Sequence, residues 1–256
     1  MDEKIFIYFI GTAGSGKTTL TSSFKSWLEL KSLNVITVNL DPGAENLSYV
    51  PDVDIRDWIS LKEIMESYDL GPNGAQIACA DMIAINSEDI KKSINSFQAN
   101  YVLIDTPGQL ELFVFRQSGK YIINFLDKNH SIIAYLIDYL LAKNASGFIS
   151  QMLLSLNTNF RLKVPQINIL SKSDLLNEKE KEKIKYWSED INALRYAIES
   201  EEPSVYREIN EKILQVLSDF DNNTKLKAVG KDYYGIDDLY TAIQIQFHGG
   251  EDLLKD

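Results

Sequence analysis

The pattern G-x-x-x-x-G-K-[ST] follows an apolar run near the start of the chain, and it constrains the fold more than any other feature. Ile5–Ile10 has the composition of a buried strand, Gly11–Thr18 supplies the glycine-rich loop, and the residues through Trp27 have helical spacing. In this order, strand, loop and helix direct backbone amides at phosphate, and the helix N-terminus favours the anion. The sequence therefore predicts a nucleoside triphosphate site.

Individual residues of this loop have distinct expected roles. Lys17 is expected to neutralise the β- and γ-phosphates, and Thr18 to offer its hydroxyl to Mg²⁺. Other residues in and next to the loop are predicted to contact the nucleotide, and these are Ala13, Gly14, Ser15, Gly16 and Thr19.

Strand-like runs recur along the chain and alternate with segments of helical periodicity. The runs are Lys4–Ile10, Val35–Leu40, Tyr101–Ile104, Ile132–Ile137, Gln166–Leu170 and Lys225–Val229. Several are apolar on both faces, as in strands covered by helices on two sides. We therefore predict an α/β fold of the P-loop NTPase type, a three-layer sandwich with a mostly parallel central sheet, helical insertions and ligands at the carboxyl ends of the strands.

Bulk composition limits the size of the fold and the kind of partner. A chain of 256 residues that is 45% hydrophobic can form one substantial core. The formal charge of −11 argues against direct binding to nucleic acid or to an anionic membrane surface. The longest apolar stretch, Ile132–Ala142, is interrupted by Asp138 and is shorter than the roughly 20 residues of a membrane helix. A single cysteine, Cys79, and a start without signal-peptide layout predict a cytoplasmic location.

A second phosphate-site element follows the third predicted strand, at Asp105–Gln109. Asp105 is expected to hold a magnesium water, and the Gly108 amide to meet the γ-phosphate. Gln109 lies where it can orient the attacking water. An ordinary strand-to-turn junction, capped by Asp, Pro and Gly, is the structural alternative.

A third element, Ser171–Asp174, follows the fifth predicted strand and fits the guanine-reading pattern [NST]-K-x-D of GTPases. The Asp174 carboxylate can accept from both N1–H and the 2-amino group of guanine, which adenine does not offer. Ser171 stands where Asn is commoner, and Lys172 completes the pattern. The last base-contacting loop is predicted at Val229 and Gly230, although the usual serine is missing there.

Five segments together resemble the GPN-loop GTPase family. They are Gly11–Thr18, Asp41–Glu45, Gly71–Asn73, Asp105–Glu111 and Ser171–Asp174. The resemblance covers nearly the whole chain, so residues 1–256 are interpreted as a single P-loop GTPase domain with a GPN-loop insertion at about 52–98. Because the chain stops soon after its last predicted helix, near His248, it looks like the minimal, archaeal form.

The resemblance implies a Mg²⁺-dependent conversion of GTP to GDP in a homodimer, or in a pair of paralogues, that acts as a molecular switch. In that family the loop formed here by Gly71, Pro72 and Asn73 reaches the phosphates bound by the partner subunit, where Asn73 takes the role of an arginine finger. Asp41 is then expected to hold a magnesium water or accept a proton from the attacking water. Glu111 is expected to support the water or the partner loop.

Other readings stay open. Eukaryotic relatives in the family are linked to assembly and nuclear delivery of RNA polymerase, so a protein client of that kind is expected by analogy. A nucleotide-gated scaffold with little catalysis is compatible with the same motifs. A small-molecule kinase lacks support, since no arginine-rich lid is evident, and a metal-insertion chaperone lacks a cluster of soft ligands.

Overall fold

A computed structural model of the chain describes residues 4–200, 205–219 and 225–249. The strands are β1 (Ile5–Gly11), β2 (Val35–Asn39), β3 (Val53–Asp54), β4 (Tyr101–Asp105), β5 (Ser131–Ile137), β6 (Gln166–Leu170) and β7 (Leu226–Ala228). These seven strands form one sheet in the order β3-β2-β4-β1-β5-β6-β7. Every neighbouring pair is parallel, so the sheet is parallel throughout the described chain.

Helices cover both faces of this sheet. They are α1 (Lys17–Leu30), α2 (Leu61–Tyr68), α3 (Pro72–Ile85), α4 (Ser87–Asn95), α5 (Leu110–Phe113), α6 (Gln117–Asp127), α7 (Ala145–Leu162), α8 (Glu178–Glu189), α9 (Ile191–Ser200), α10 (Val205–Ser218) and α11 (Ile236–His248). Alternate residues of β1 belong to different cores, because successive side chains of a strand point to opposite faces. Ile7 packs with α1 and α11, whereas Tyr8 packs in the larger core with α3, α6 and α7. The predicted three-layer α/β sandwich is therefore confirmed.

The central strands are buried along their whole length, as their two-sided apolar composition predicts. Every residue of β1, β4 and β5 is buried. The six predicted strands all form, with ends that differ from the predictions by at most one residue. Their carboxyl ends, among them Gly11 and Asp105, lie at one edge of the sheet, where the predicted site residues follow.

The segment 52–98 contains more regular structure than its sequence predicts. It holds β3, α2, α3 and α4, so the sequence missed a two-residue edge strand and one long helix. The sequence has helical spacing over 57–68 and 88–97, and the structure forms helices there at Leu61–Tyr68 and Ser87–Asn95. Gly71 is the N-cap of α3 and Pro72 its first residue, a position where the missing N–H of proline costs nothing. The Gly-Pro-Asn tripeptide is therefore the rigid start of a helix.

The exposed helices agree with the charge pattern of the sequence. The charge run 177–183 opens α8 with a reciprocal capping box between Asn177 and Glu180, and Lys181 pairs with Glu178 at 2.8 Å. This arrangement fits a solvated helix face. Across the described ranges, no helix combines the length and apolar character needed to cross a bilayer.

Gly119 sets the approach of α6 to α5, the short helix that follows the Asp105 loop. A Cβ at Gly119 would lie 2.0 Å from the Phe113 carbonyl oxygen, so a side chain must push the two helices apart. We expect Gly119→Ala to lower the free energy of unfolding by about 2 kcal/mol or more, measured by urea denaturation.

Gly74→Ala in α3 is the matched control. A Cβ there would make only ordinary contact, 3.5 Å from a Leu70 methyl carbon. Because alanine favours a helix over glycine, this variant should gain up to about 1 kcal/mol. Similar losses in the two variants would contradict the steric explanation.

Candidate functional site

Two adjoining cavities lie at the carboxyl edge of the sheet. The first, of about 370 Å³, is the phosphate cavity and is lined by Ala13, Gly14, Gly16, Lys17, Thr18, Thr19, Asp41, Thr106, Gly108 and Lys172. The second, of about 380 Å³, is the base cavity and is lined by Gly16, Thr19, Leu20, Ser23, Ser171, Lys172, Asp174, Leu175, Val229, Gly230, Lys231 and Asp232. Gly16, Thr19 and Lys172 line both cavities, so the two are continuous. Loops after five different strands thus converge on one elongated site.

The glycine-rich loop takes a backbone path that its glycines permit. Gly14 has φ 74° and Gly16 φ 99°, both in the left-handed region. A Cβ at Gly11 would lie 2.7 Å from the Ser15 hydroxyl oxygen, which is buried beneath the loop. The Ser15 side chain therefore packs under the loop and lines neither cavity.

Lys17 is buried in the phosphate cavity, with 6% of its surface exposed. Its ammonium donates to the carbonyl oxygens of Gly11 and Thr12, each at 3.0 Å. Burial lowers the pKa of Lys17, and the carboxylates of Asp105 and Asp41 oppose that shift. Two of its three donors fix the side chain across the loop, and the third is left for a phosphate oxygen.

Asp105 ends the central strand β4 with a carboxylate that is only 2% exposed. Its Oδ2 accepts from the Tyr49 hydroxyl at 3.2 Å, but its buried Oδ1 has no hydrogen-bond partner among the described residues. Burial raises the pKa of Asp105 to about 6, and Asp41 adds to the shift, while hydrogen bonds from Thr18 and Tyr49 and the Lys17 charge oppose it. The site therefore lacks the positive charge that this carboxylate requires.

Mg²⁺ fits this deficit. The orphaned Asp105 oxygen and the Thr18 hydroxyl are hard oxygen donors of the kind that Mg²⁺ prefers. Thr18 and Asp41 line the phosphate cavity, and Asp105 is buried beside Thr18 behind that lining. Within the described ranges, no group of three or more His, Cys, Asp or Glu residues forms a metal cage. Since Mg²⁺ is usually held by one or two carboxylates together with water and substrate phosphates, these residues fit an ion that binds with the nucleotide.

Asp41 links the loop after β2 to the loop after β4. Its Oδ1 accepts from the Gly43 N–H at 2.9 Å, and its Oδ2 from the Gly108 N–H at 3.3 Å. Asn39, which is fully buried, accepts from the Asp41 N–H at 3.0 Å and donates to its carbonyl. The Gly108 amide, predicted to meet the γ-phosphate, is thus held by a carboxylate here.

The base cavity is organised by backbone contacts. The Lys172 ammonium donates to the Gly14 carbonyl at 2.6 Å, which ties the base loop to the phosphate loop. Asp174 is exposed, and its Oδ1 accepts from the Lys231 N–H at 3.3 Å. A Cβ at Gly230 would lie 3.2 Å from that same oxygen, so the small residue lets the two loops approach. Val229 lies against Ser173, whose N–H donates to the Val229 carbonyl at 3.0 Å.

The structure leaves several predicted residues outside both cavities. Gly71, Pro72 and Asn73 are exposed at the start of α3, and Gln109 and Glu111 are exposed at the start of α5. None of the five lines the phosphate or the base cavity. Their proposed roles stay predictions that a single chain does not test.

Sequence reasoning missed three residues of the site. The Tyr49 hydroxyl contacts Asp105, Asn39 holds Asp41, and the Thr106 hydroxyl donates to the Phe9 carbonyl at 2.7 Å. Asn39 and Thr106 adjoin strand ends, where a buried polar residue signals a structural hydrogen bond. Tyr49 lies beyond the Asp41–Glu45 segment of its loop and belongs to no motif, so its position carried no signal.

Fold and site together define a P-loop nucleoside triphosphatase. A family model described as "Conserved hypothetical ATP binding protein" matches residues 9–249. GPN-loop GTPase PAB0955 of Pyrococcus abyssi is 38% identical over 74% of this chain and 76% of its own length. GPN-loop GTPase 3 of Debaryomyces hansenii is 33% identical over 85% of this chain and 81% of its own length.

Structure comparison agrees with these relatives. The crystal structure of PAB0955, a GTPase in apo form from Pyrococcus abyssi, superposes with a TM-score of 0.85 and 32% identity, covering 95% of this chain and 98% of that one. The chain belongs to the GPN-loop GTPase family. It spans 61% of the length of one longer relative, GPN-loop GTPase 1 of Dictyostelium discoideum.

Removing the buried charge of Asp105 has a predictable effect on stability. In the nucleotide-free protein at pH 7.5 the ionised carboxylate is destabilising, because its pKa is raised to about 6 in the folded state. Asp105→Asn should therefore raise the free energy of unfolding by up to about 3 kcal/mol. The gain should disappear as the pH falls from 6 to about 4, where the parent carboxyl takes up its proton. Urea denaturation over this pH range measures it.

Asp54→Asn is the matched control, on the edge strand β3. Burial alone would raise the pKa of Asp54, but hydrogen bonds from Arg56 and Asn39 outweigh it and the pKa is lowered. Loss of this carboxylate should reduce stability at pH 7.5. A stability loss in Asp105→Asn as well would show that the Asp105 charge is adequately compensated without ligand.

Proposed function

We propose that the chain is a Mg²⁺-dependent GTP hydrolase that works as a homodimeric switch. The observation that carries this proposal is the continuous site of two cavities. One end presents the glycine-rich loop and Lys17, and the unpaired carboxylate oxygen of Asp105 is buried close to Lys17 just behind this lining, as a metal-bound triphosphate requires. The other end presents the Asp174 carboxylate. GTP is the ligand whose two ends match both cavities.

Base selection depends on Asp174. The carboxylate lines the base cavity, and its Oδ1 accepts from the Lys231 N–H. Guanine offers N1–H and a 2-amino group to such an acceptor, whereas adenine would leave the carboxylate unpaired. The matching family model names ATP in its description, so base preference is a direct test of the proposal.

Hydrolysis would be in-line attack of water on the γ-phosphate. Bound Mg²⁺ would supply charge neutralisation, with Thr18 and Asp105 as the residues that hold it. Lys17 binds the phosphates, and the γ-phosphate competes with Asp41 for the Gly108 N–H. Loss of that N–H frees the Asp41 Oδ2 to orient the attacking water, with Gln109 in support. The same exchange reports the presence of the γ-phosphate to the rest of the chain.

A second subunit is proposed to complete the site. Among the described arginine side chains none reaches the phosphate cavity: Arg56 pairs with Asp54, Arg116 with Asp81, Arg161 donates to the Val114 and Phe115 carbonyls, and Arg195 to Asn192. Asn73 is exposed and lies outside both cavities of its own chain. An amide donor supplied by the partner subunit's Asn73 would stabilise the charge that develops on the transferring phosphoryl group.

The switch is proposed to act on a protein client, with RNA polymerase as the candidate by family analogy. The acidic charge of −11 supports a protein or small-molecule partner over nucleic acid. A pull-down with the chain held in the GTP-analogue and GDP states would identify a client whose binding depends on nucleotide. Capture that is equal in the two states would argue against switching.

Mixing two inactive variants tests whether Asn73 acts across the dimer. Asn73→Ala retains its own phosphate loop, and Lys17→Ala retains Asn73 but loses phosphate binding. In an equal mixture with free subunit exchange, half of the dimers carry one complete site, so GTP turnover should recover to about a quarter of the parental rate. Phosphate release measures turnover.

The control mixture pairs Asn73→Ala with the double variant Lys17→Ala/Asn73→Ala. It should show no recovery, because neither subunit supplies the amide. Parental turnover in Asn73→Ala alone, or recovery in the control mixture, would rule out the trans role.

Asp174→Asn tests base recognition. Loss of two hydrogen bonds to a charged acceptor should weaken GTP affinity at least about 100-fold and favour xanthosine triphosphate, which offers the complementary acceptor. Calorimetry measures both affinities. Asp232→Asn, a carboxylate in the lining of the same cavity, should leave GTP affinity within about twofold, since surface charges contribute little. Equal affinity of the parent for ATP and GTP would contradict the assignment.

A further inference from the structure

Tyr49 lies next to the proposed magnesium site. It belongs to the part of the β2–β3 loop that follows the Asp41–Glu45 segment and matches no motif. The loop 40–52 joins β2 to β3, and Tyr49 is half-buried near its end. Its hydroxyl donates to the Asp105 Oδ2 at 3.2 Å. Tyr49 lines neither the phosphate nor the base cavity, so its contact with the site passes through Asp105.

The loop is anchored at both ends and at its middle. Asp52 accepts from Lys25 and from the Thr37 N–H, each at 2.8 Å. Arg56 donates to the Ala44 carbonyl at 2.8 Å, and the Ser48 hydroxyl donates to the Thr18 carbonyl at 3.3 Å. Because these contacts hold the loop on β2 and α1, the tyrosine hydroxyl is preorganised against the carboxylate.

The two oxygens of Asp105 have different surroundings. Oδ2 accepts the Tyr49 hydrogen bond, whereas the buried Oδ1 has no partner within the described residues. A carboxylate held at one oxygen keeps a fixed rotamer, so the other oxygen is presented in one direction. Burial and the Asp105 charge raise the pKa of Tyr49, so the phenol stays protonated and remains a donor.

We propose that Tyr49 is a positioning residue for magnesium, which holds Asp105 through Oδ2 and leaves Oδ1 for the ion or one of its waters. This inference rests on the proposed Mg²⁺-dependent nucleotide binding. Groups that orient a metal ligand change metal affinity by roughly 10- to 100-fold when they are removed. The loop 40–52 is thereby connected to both carboxylates of the phosphate site. It carries Asp41, which accepts from the Gly108 N–H, and its Tyr49 donates to Asp105.

Tyr49→Phe isolates the hydroxyl, because phenylalanine retains the ring and its packing. The measurement is the affinity for a fluorescent, slowly hydrolysed GTP analogue in EDTA and over a series of Mg²⁺ concentrations. We expect the Mg²⁺ concentration at the midpoint to rise about tenfold or more. Affinity in EDTA should stay within about twofold of the parent, because the ring and loop are intact.

Ser48→Ala is the matched control. It removes the neighbouring loop hydroxyl, which contacts the Thr18 backbone and not Asp105. The control should keep the parental Mg²⁺ midpoint. A parental midpoint in Tyr49→Phe, or an equal rise in Ser48→Ala, would overturn the positioning role while leaving the proposed GTPase intact. A parent whose affinity does not depend on Mg²⁺ would instead overturn the proposed function and the inference together.

Discussion

The buried Asp105 carboxylate, at the end of the central strand, is the constraint around which the site is built. A charge excluded from water needs a partner, and this one has a tyrosine, a threonine and a lysine around it but still lacks a partner at one oxygen. The exclusion from water comes from the strand itself, since every residue of β4 is buried. The proposed binding of Mg²⁺ with the nucleotide would compensate the charge that the fold alone leaves incompletely paired.

Local sequence patterns predicted the parts of the site where backbone geometry is set by adjacent residues. The glycine-rich loop, Asp105 and Ser171–Asp174 each follow a buried strand directly, so their place at the sheet edge follows from topology. The two-residue strand β3 and the contact of Tyr49 were not predictable in this way. Both depend on where the loop 40–52 packs, and that is decided by anchors such as Asp52 and Arg56.

The start of α3 shows how a turn-like tripeptide acquires a defined geometry. Pro72 fixes the first helical residue and Gly71 caps it, so Asn73 is presented on a rigid helix end. The aromatic-rich segment Phe113–Phe125 could serve core packing, a dimer contact or a switch helix. Phe113 is buried, whereas Phe115 and Tyr121 are exposed. Core packing thus explains part of that segment, and the exposed part stays available to a partner subunit.

The contact between Lys172 and the Gly14 carbonyl joins the base loop to the glycine-rich phosphate loop, and it sets this part of the site apart from the loops of Asp41 and Gly108. The Lys172 ammonium already donates to the Gly14 carbonyl at 2.6 Å, so the base loop and the phosphate loop are joined before nucleotide binds. Nucleotide binding therefore costs little conformational entropy in this part of the site. A conformational change in response to the γ-phosphate is then expected on the other side of the phosphate cavity, where Asp41 and Gly108 lie. In the proposed mechanism the Gly108 N–H on that side passes from the Asp41 carboxylate to the γ-phosphate, and the β2–β3 loop would respond to this change.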